Sequence, residues 1–266
     1  MDPKPFITLT TDFGTTDAYV AAMKGVIYSI NPACIITDVS HHVGPQDIIG
    51  AGFLLASVYR YFPEGTIHCA VVDPGVGTSR RPLIIQASGF FFVGPDNGLF
   101  SFVLSGSEPV RVHVITNPDY TLTPPSTTFH GRDVFAPAAA YLSGGTDLSA
   151  FGTQISDYCV LPVSGSDISP DGTLCGAVIH IDRFGNIITN ITGNCFEGFA
   201  GTGPFRLTIQ KHACSRRVET YAQAHDDELF CLIGSSGYLE VSVKNASARD
   251  RTGARAGDPV CISRKS

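Results

Sequence analysis

Residues 6–39 read FITLTTDFGTTDAYVAAMKGVIYSINPACIITDV, and the fold class follows from three signals in that stretch. Phe6 to Thr10 is a short apolar run that ends on Thr11-Asp12, as a buried strand would. From Asp17 to Ile30 the pattern changes: Val20, Met23, Ile27 and Ile30 recur at helical spacing, with Asp17 suited to the N-terminal end of a helix. Asn31-Pro32 then stops the helix, and Cys34 to Val39 reads as a second strand. Continuing outward, Pro45 to Phe62 is a second amphipathic helix and Thr66 to Val72 a third strand. The order βαβαβ predicts a largely parallel sheet with helices on its faces.

Further strands are expected at Leu83–Gln86, Phe90–Val93 and Val110–Ile115, with a turn at Asp96-Asn97-Gly98 and a helix from about Arg132 to Leu142. The composition shifts around 156–172, where Ser, Asp, Pro and Gly dominate PVSGSDISPDG. The chain is therefore divided into an α/β domain over 1–157, a linker over 158–172 and a second domain over 173–266. Strands dominate the second part: Gly176–Ile181, Ile187–Ile191, Phe205–Ile209, Val218–Ala222, Leu229–Ile233, Tyr238–Val243 and Val260–Ile262. They predict a small antiparallel β-barrel or sandwich.

Composition narrows the function. A hydrophobic content of 43% supports a sizeable core and argues against wholesale disorder. A net charge of −6 without a Lys or Arg block makes nucleic acid a poor partner. No apolar run reaches membrane-spanning length, and MDPKPFITLT lacks the charged and apolar regions of a signal peptide. Eight cysteines with no C-x-x-C spacing, most inside apolar segments, read as reduced core residues of a cytoplasmic protein.

Ligands of α/β sheets sit beyond the C-terminal ends of the parallel strands. Three polar clusters fall at strand ends or before a helix: TTDFGTTDAY with Asp12 and Asp17, VVDPGVGTSRR with Asp73, Arg80 and Arg81, and TTFHGRD with His130, Arg132 and Asp133. Taken singly, each has an ordinary structural explanation as cap, turn or solvated charge. No P-loop or dinucleotide-binding glycine pattern is present. Nor is there a nucleophile elbow or the usual paired histidine ligands of a zinc hydrolase, since His41 and His42 are adjacent and face opposite ways on a strand. As a set, Asp, Arg and His can hold a water, take its proton and stabilise hydroxide. The residues alone thus lead to a water-activating or anion-binding site. The second domain adds HIDRFGNIITN with Asp182, Phe184 and Asn186, and GSSGYLEVSVKNAS with Ser235, Ser236, Tyr238, Glu240 and Lys244, patterns that hairpin turns also produce.

With these motifs the whole chain resembles the S-adenosyl-L-methionine hydroxide adenosyltransferase family, relatives of the fluorinating and chlorinating enzymes that act on the same substrate. The resemblance runs through TLTTDFGTTDAYVAAMKG, VVDPGVGTSRR, FVGPDNGL, TFHGRD, DRFGN and GSSGYLEVSVKNAS. It implies an α/β domain followed by a β-barrel, a homotrimer, and sites between the N-terminal domain of one subunit and the C-terminal domain of the next. It implies hydrolysis of S-adenosyl-L-methionine to adenosine and L-methionine, with no metal and no cofactor. Asp73, Arg80 and His130 match the catalytic Asp, Arg and His of the hydrolytic members, and either Asp73 or His130 would take the proton. Asp12 and Asp17 match positions near the ribose and methionine, and Thr128 and Phe129 are further substrate-binding positions. Asp182, Asn186, Tyr221, Ser235, Lys244 and Ala246 match positions around the adenine and the methionine amino acid. The fluorinating relatives carry Tyr where this chain has Asp73 and His130, Ser where it has Gly131, and an extra loop where it runs straight from Arg81 to Phe92. The Asp-to-Asn spacing in DRFGN is one residue shorter than theirs. A chloride-using halogenase, a non-catalytic S-adenosyl-L-methionine sensor and a metal-dependent hydrolase are the rival readings.

Overall fold

The computed structural model describes residues 4–163 and 165–264. Residues 1–3, 164 and 265–266, the outer ends of the two expected domains and one position of the expected linker, lie outside that description. The chain divides after Leu161 into two compact units.

In the first unit the elements are β1 (Phe6–Thr11), α1 (Tyr19–Ile30), β2 (Ile35–Ser40), α2 (Ile48–Val58), β3 (Ile67–Val71), β4 (Pro82–Ala87), β5 (Phe90–Pro95), α3 (Ser101–Leu104) and β6 (Val110–Val114). A π-helical turn Gly131–Phe135, α4 (Ala136–Ser143), α5 (Leu148–Phe151) and β7 (Gln154–Ile155) complete it. The sheet order is β2-β1-β3-β5-β4-β6-β7. β2, β1, β3 and β5 pair in parallel, while β4, β6 and β7 extend the sheet antiparallel. The expected parallel core is present, with an antiparallel half added through the β4–β5 hairpin.

Strand alternation sorts the core into two layers. Cys69 and Val71 face a cluster with Met23, Ile27, Phe135 and Ala139, whereas Ala70 and Val72 face Leu55, Phe92, Leu99 and Val103. Both faces of β3 are therefore buried, which explains its continuous apolar run.

Several expected boundaries move. The first helix starts at Tyr19 rather than Asp17: Ala18 occupies the cap position without a side-chain hydrogen bond, and Asp17 lies outside the helix. The second starts after Asp47, whose carboxylate accepts from Gly50 N–H at 2.8 Å, so Pro45 precedes it. The helix expected from Arg132 opens instead with the π turn.

The second unit contains β8 (Asp167–Ile168), β9 (Leu174–Ile181), β10 (Ile187–Thr192), α6 (Gly193–Ala200), β11 (Phe205–Ile209) and β12 (His212–Cys214). A single 3₁₀ turn at Tyr221–Gln223, β13 (Leu229–Ile233), β14 (Tyr238–Val243), α7 (Ala248–Thr252) and β15 (Pro259–Arg264) follow. The strands run β12-β11-β15-β9-β10-β14-β13, all antiparallel. Beyond β12, Arg216 O accepts from Cys231 N–H and Val218 N–H donates to Cys231 O, so this segment meets β13 and nearly closes the barrel. The strand expected at Val218–Ala222 does not form. Gln223 Oε1 accepts from Glu219 N–H and Gln223 O accepts from the Arg216 guanidinium, which folds that stretch into the 3₁₀ turn.

All eight cysteines are free thiols, but only Cys34, Cys69, Cys214 and Cys231 are buried; Cys159 is exposed, against the expectation that most are core residues. Among the described residues no helix is long and apolar enough to cross a membrane.

The first unit also buries a histidine. His68 is wholly enclosed by Tyr59, Phe62, Phe90 and Phe92, and its Nδ1 lies 2.8 Å from Thr8 Oγ1. Burial pushes its pKa down to about 4. The unfolded chain takes up this proton near pH 6.5 and the folded chain only near 4, so its contribution is intact above pH 6.5 and is lost as pH falls toward 4. That loss amounts to about 3 kcal/mol. Urea unfolding between pH 7 and 4.5 is expected to show this acid loss in the wild type and a flatter profile in His68→Leu. Parallel profiles would show that the histidine does not resist protonation.

Candidate active site

β1 and β3 are parallel neighbours with Thr11 opposite Val71, so Asp12 and Asp73 leave the sheet at the same edge. From Asp73 the chain makes two tight turns, with Val76 N–H donating to Asp73 O and Thr78 N–H to Gly75 O. Those turns bring Arg80 back over Asp73. Arg80 Nε donates to Asp73 Oδ1 at 3.1 Å and Nη2 to Oδ2 at 2.5 Å. Both side chains are only 6% exposed. The guanidinium also stacks on Phe135, 5.2 Å from the ring centroid.

The third member comes from the segment before α4. Arg80 Nη2 lies 2.8 Å from His130 Nδ1. A guanidinium can only donate, so Nδ1 accepts and the neutral ring carries its proton on Nε2. Burial, followed by the Arg80 charge, holds the His130 pKa below its ordinary value; Asp73 and Asp133 pull the other way. Arg80 Nη1 is buried with no hydrogen-bond partner among the described residues. This is a guanidinium fixed by a carboxylate and an imidazole, with one donor nitrogen to spare.

Asp133 holds the His130 segment in place. Its buried carboxylate accepts from Arg132 Nε at 2.5 Å and from Ser126 N–H at 2.7 Å, and its carbonyl accepts from Leu122 N–H. Burial acts to raise its pKa, but Arg132 and Ser126 N–H outweigh it and hold the carboxyl below the usual range. Gly77 lets the two segments approach. Its φ is +76°, and a Cβ there would lie 2.4 Å from Thr127 O. The second glycine of DPGVG thus serves a close backbone approach.

Asp12, Asp73, Thr128, Phe129 and His130 line one cavity of about 450 Å³ in the first unit. Asp12 accepts from Gln46 N–H at 2.9 Å. Asp17 is exposed and does not line this cavity. Phe13, Tyr19 and Gln46 line it without having been singled out; the first two stand in the TTDFGTTDAY motif, but nothing local marks them as wall residues. Arg81 turns away from the cavity to Asp96 and Asp157.

In the second unit, Asp182, Asn186, Tyr221, Lys244 and Ala246 line a separate cavity of about 700 Å³. Asp182 closes its own turn, accepting from Phe184 N–H, Asn186 N–H and Asn186 Nδ2. Lys244 donates to Ala224 O at 3.1 Å. Ser235 is exposed on the turn between β13 and β14 and is not brought to this cavity. Phe184, picked out with this turn in the sequence but given no role in the resemblance, is 77% exposed on the cavity wall.

The comparisons agree with one another. Residues 7–152 match the SAM hydroxide adenosyltransferase N-terminal domain and residues 176–261 the corresponding C-terminal domain. The chain is 37% identical to an (R)-S-adenosyl-L-methionine hydrolase from Salinispora tropica, covering 98% of this chain and 99% of the relative. It is also 37% identical to one from Methanocaldococcus jannaschii, over 91% and 90%. A fluorinase from Actinopolyspora mzabensis is 27% identical over 98% of each chain. A solved structure of a conserved protein from Thermotoga maritima superposes with a TM-score of 0.89 at 31% identity, over 97% of this chain and all of that one.

Gly77→Ala is expected to destabilise the first unit by about 2 kcal/mol, since it adds a strained φ and a clash with a backbone oxygen. Chemical denaturation checks this; an unchanged midpoint would show that the two segments can separate at no cost.

Proposed function

Because the chain belongs to the SAM hydroxide adenosyltransferase family, we propose that it hydrolyses S-adenosyl-L-methionine to adenosine and L-methionine by attack of an activated water on ribose C5′. The observation that carries the reading is the Asp73–Arg80–His130 arrangement beside the cavity of the first unit.

The sulfonium leaves as a neutral thioether, so no acid is needed at the leaving group. What must be supplied is a better nucleophile than bulk water. His130 is ill placed to be the base: Nδ1 is occupied by Arg80 and Nε2 carries the proton in the neutral ring. It serves as a donor that orients the water. Asp73 keeps lone pairs free beyond its two bonds to Arg80, and it takes the proton. A weak base suffices, because water becomes strongly acidic as its oxygen bonds to carbon. The Arg80 charge, which lies behind Asp73 and His130 and not on the cavity wall, stabilises the developing hydroxide through them.

Asp12, Thr128 and Phe129 contact the ribose and methionine portions, with Asp17 joining them from the exposed loop before α1. Asp182, Asn186, Tyr221, Lys244 and Ala246 take the adenine, and Ser235 the amino-acid end. One ligand using both sets fits a homotrimer in which neighbouring subunits share each site. The reaction proceeds without a metal, since sulfonium departure needs no Lewis acid, and it belongs in the cytoplasm, where free thiols persist.

Water rather than halide is favoured by the packing at Gly131. A Cβ there would sit 3.2 Å from both Phe13 and Phe129 and 3.3 Å from Met23 Sδ. A serine at this position, as in the fluorinating relatives, would require those groups to give way.

Chromatography of S-adenosyl-L-methionine incubated in ¹⁸O-labelled water, with and without chloride, tests the reading. Labelled adenosine and no 5′-chloro product are expected; unlabelled adenosine or a halogenated product would overturn it. Asp73→Asn and Arg80→Lys should each lower kcat on the order of 10²-fold. Arg81→Ala should cost stability instead.

Protonating His130 sets a cation against Arg80, and its pKa is depressed, so the midpoint of the acid loss of activity should lie below pH 6.5. A pH–rate profile with its midpoint above pH 6.5 would contradict this. Light scattering that finds a fully active monomer would remove the shared-site proposal.

A further inference from the structure

A buried carboxylate in the second unit lies outside the roles assigned so far. Glu240, on β14, is 7% exposed. Its Oε1 accepts from the Tyr221 hydroxyl at 2.5 Å and from Ser242 Oγ at 2.8 Å. The other oxygen faces the turn between β13 and β14: a Cβ on Gly234 would lie 2.8 Å from Oε2. That turn is closed by Gly234 N–H donating to Tyr238 O and Gly237 N–H to Gly234 O, and it carries Ser235. Glu240 thus stands between Tyr221 and the Ser235 turn.

Tyr221 needs an anchor. It opens a single 3₁₀ turn, is 46% exposed, and lines the 700 Å³ cavity. A ring on so short an element would sample several rotamers in solvent. Its hydroxyl, however, is directed inward to a buried carboxylate, a short charge-assisted hydrogen bond. Burial and then the Glu240 bond push the tyrosine pKa up, so the hydroxyl stays a donor. Phe230 packs edge-on at 6.1 Å behind the ring. What remains for a ligand is the ring itself.

We propose that Glu240 is a positioning residue for substrate recognition: it locks the Tyr221 ring on the cavity wall, preorganised for a planar purine, and its second oxygen packs against the turn bearing Ser235. The proposal rests on the reading that Tyr221 contacts the nucleoside. Removing the lock should weaken binding and leave the chemical step alone, because the Asp73, Arg80 and His130 groups belong to the other unit.

The test is a double-mutant cycle on the full-length protein. It reads KM and kcat for S-adenosyl-L-methionine and adenosine binding by calorimetry. Tyr221→Phe and Glu240→Leu should each raise KM and weaken adenosine binding on the order of 5- to 10-fold, with the double variant no worse than either. Glu240→Gln keeps an acceptor in the same place and should recover binding to within about twofold. Should Glu240→Leu not fold, Tyr221→Phe and Glu240→Gln still decide. An unchanged KM in Tyr221→Phe overturns the lock, as does a tenfold loss in Glu240→Gln. Multiplicative losses in the double variant, or a fall in kcat alone, also overturn it. Tyr221→Ala separates the two levels. If it binds adenosine normally, the assignment of Tyr221 to the nucleoside fails; if it binds weakly while Glu240→Leu binds normally, only the positioning role fails.

Discussion

The polar cluster of the first unit is organised around one guanidinium. Arg80 is almost wholly buried, and it holds Asp73 through two hydrogen bonds and His130 through a third. A buried arginine is tolerable only when its charge is paired and its donors are used. Meeting that condition fixes the hydrogen-bond pattern around it: the carboxylate accepts from Nε and Nη2, the imidazole presents a lone pair at Nδ1, and the imidazole proton goes to Nε2. The two groups that looked interchangeable as bases are thereby made different.

The surroundings enforce the same geometry. The parallel pairing of β1 with β3 sets Asp12 and Asp73 at one edge, and the close approach at Gly77 brings the Arg80 loop to the His130 segment. The π turn and the buried Asp133 carboxylate fix where His130 stands. Rigidity of this kind suits electrostatic stabilisation, because dipoles already in place need no reorganisation during reaction. The second unit works on other terms. Its cavity is walled by turn residues such as Phe184, Asn186 and Tyr221, with Asn186 donating to Asp182 on the same wall and Tyr221 to Glu240 behind it.

Homologous hydrolases and more distant fluorinases share the framework, which makes the differences at the reacting centre informative. Gly131 is hemmed in by Phe13, Phe129 and Met23, so this cavity has little room for an added side chain at that point.

Much of this was legible along the chain. Periodicity in residues 6–72 specified a parallel sheet core, because a strand buried on both faces must be continuously apolar and a packed helix must repeat every three to four residues. The motifs carrying Asp73, Arg80 and His130 could be picked out for their residue types at strand and helix ends. What local pattern could not supply was anything that depends on distant partners. VETYA alternates like a strand, yet hydrogen bonds from Glu219 and Arg216 to Gln223 fold that stretch into a turn. Arg80 and Arg81 are adjacent and chemically identical, and only the packing sends one to Asp73 and the other to Asp96 and Asp157. The tautomer of His130 and the anchoring of Tyr221 by Glu240 join residues 50 and 19 positions apart. Residue type and spacing determined which groups were available; tertiary contact decided which of them meet, because a hydrogen bond is set by distance in space and not by distance along the chain.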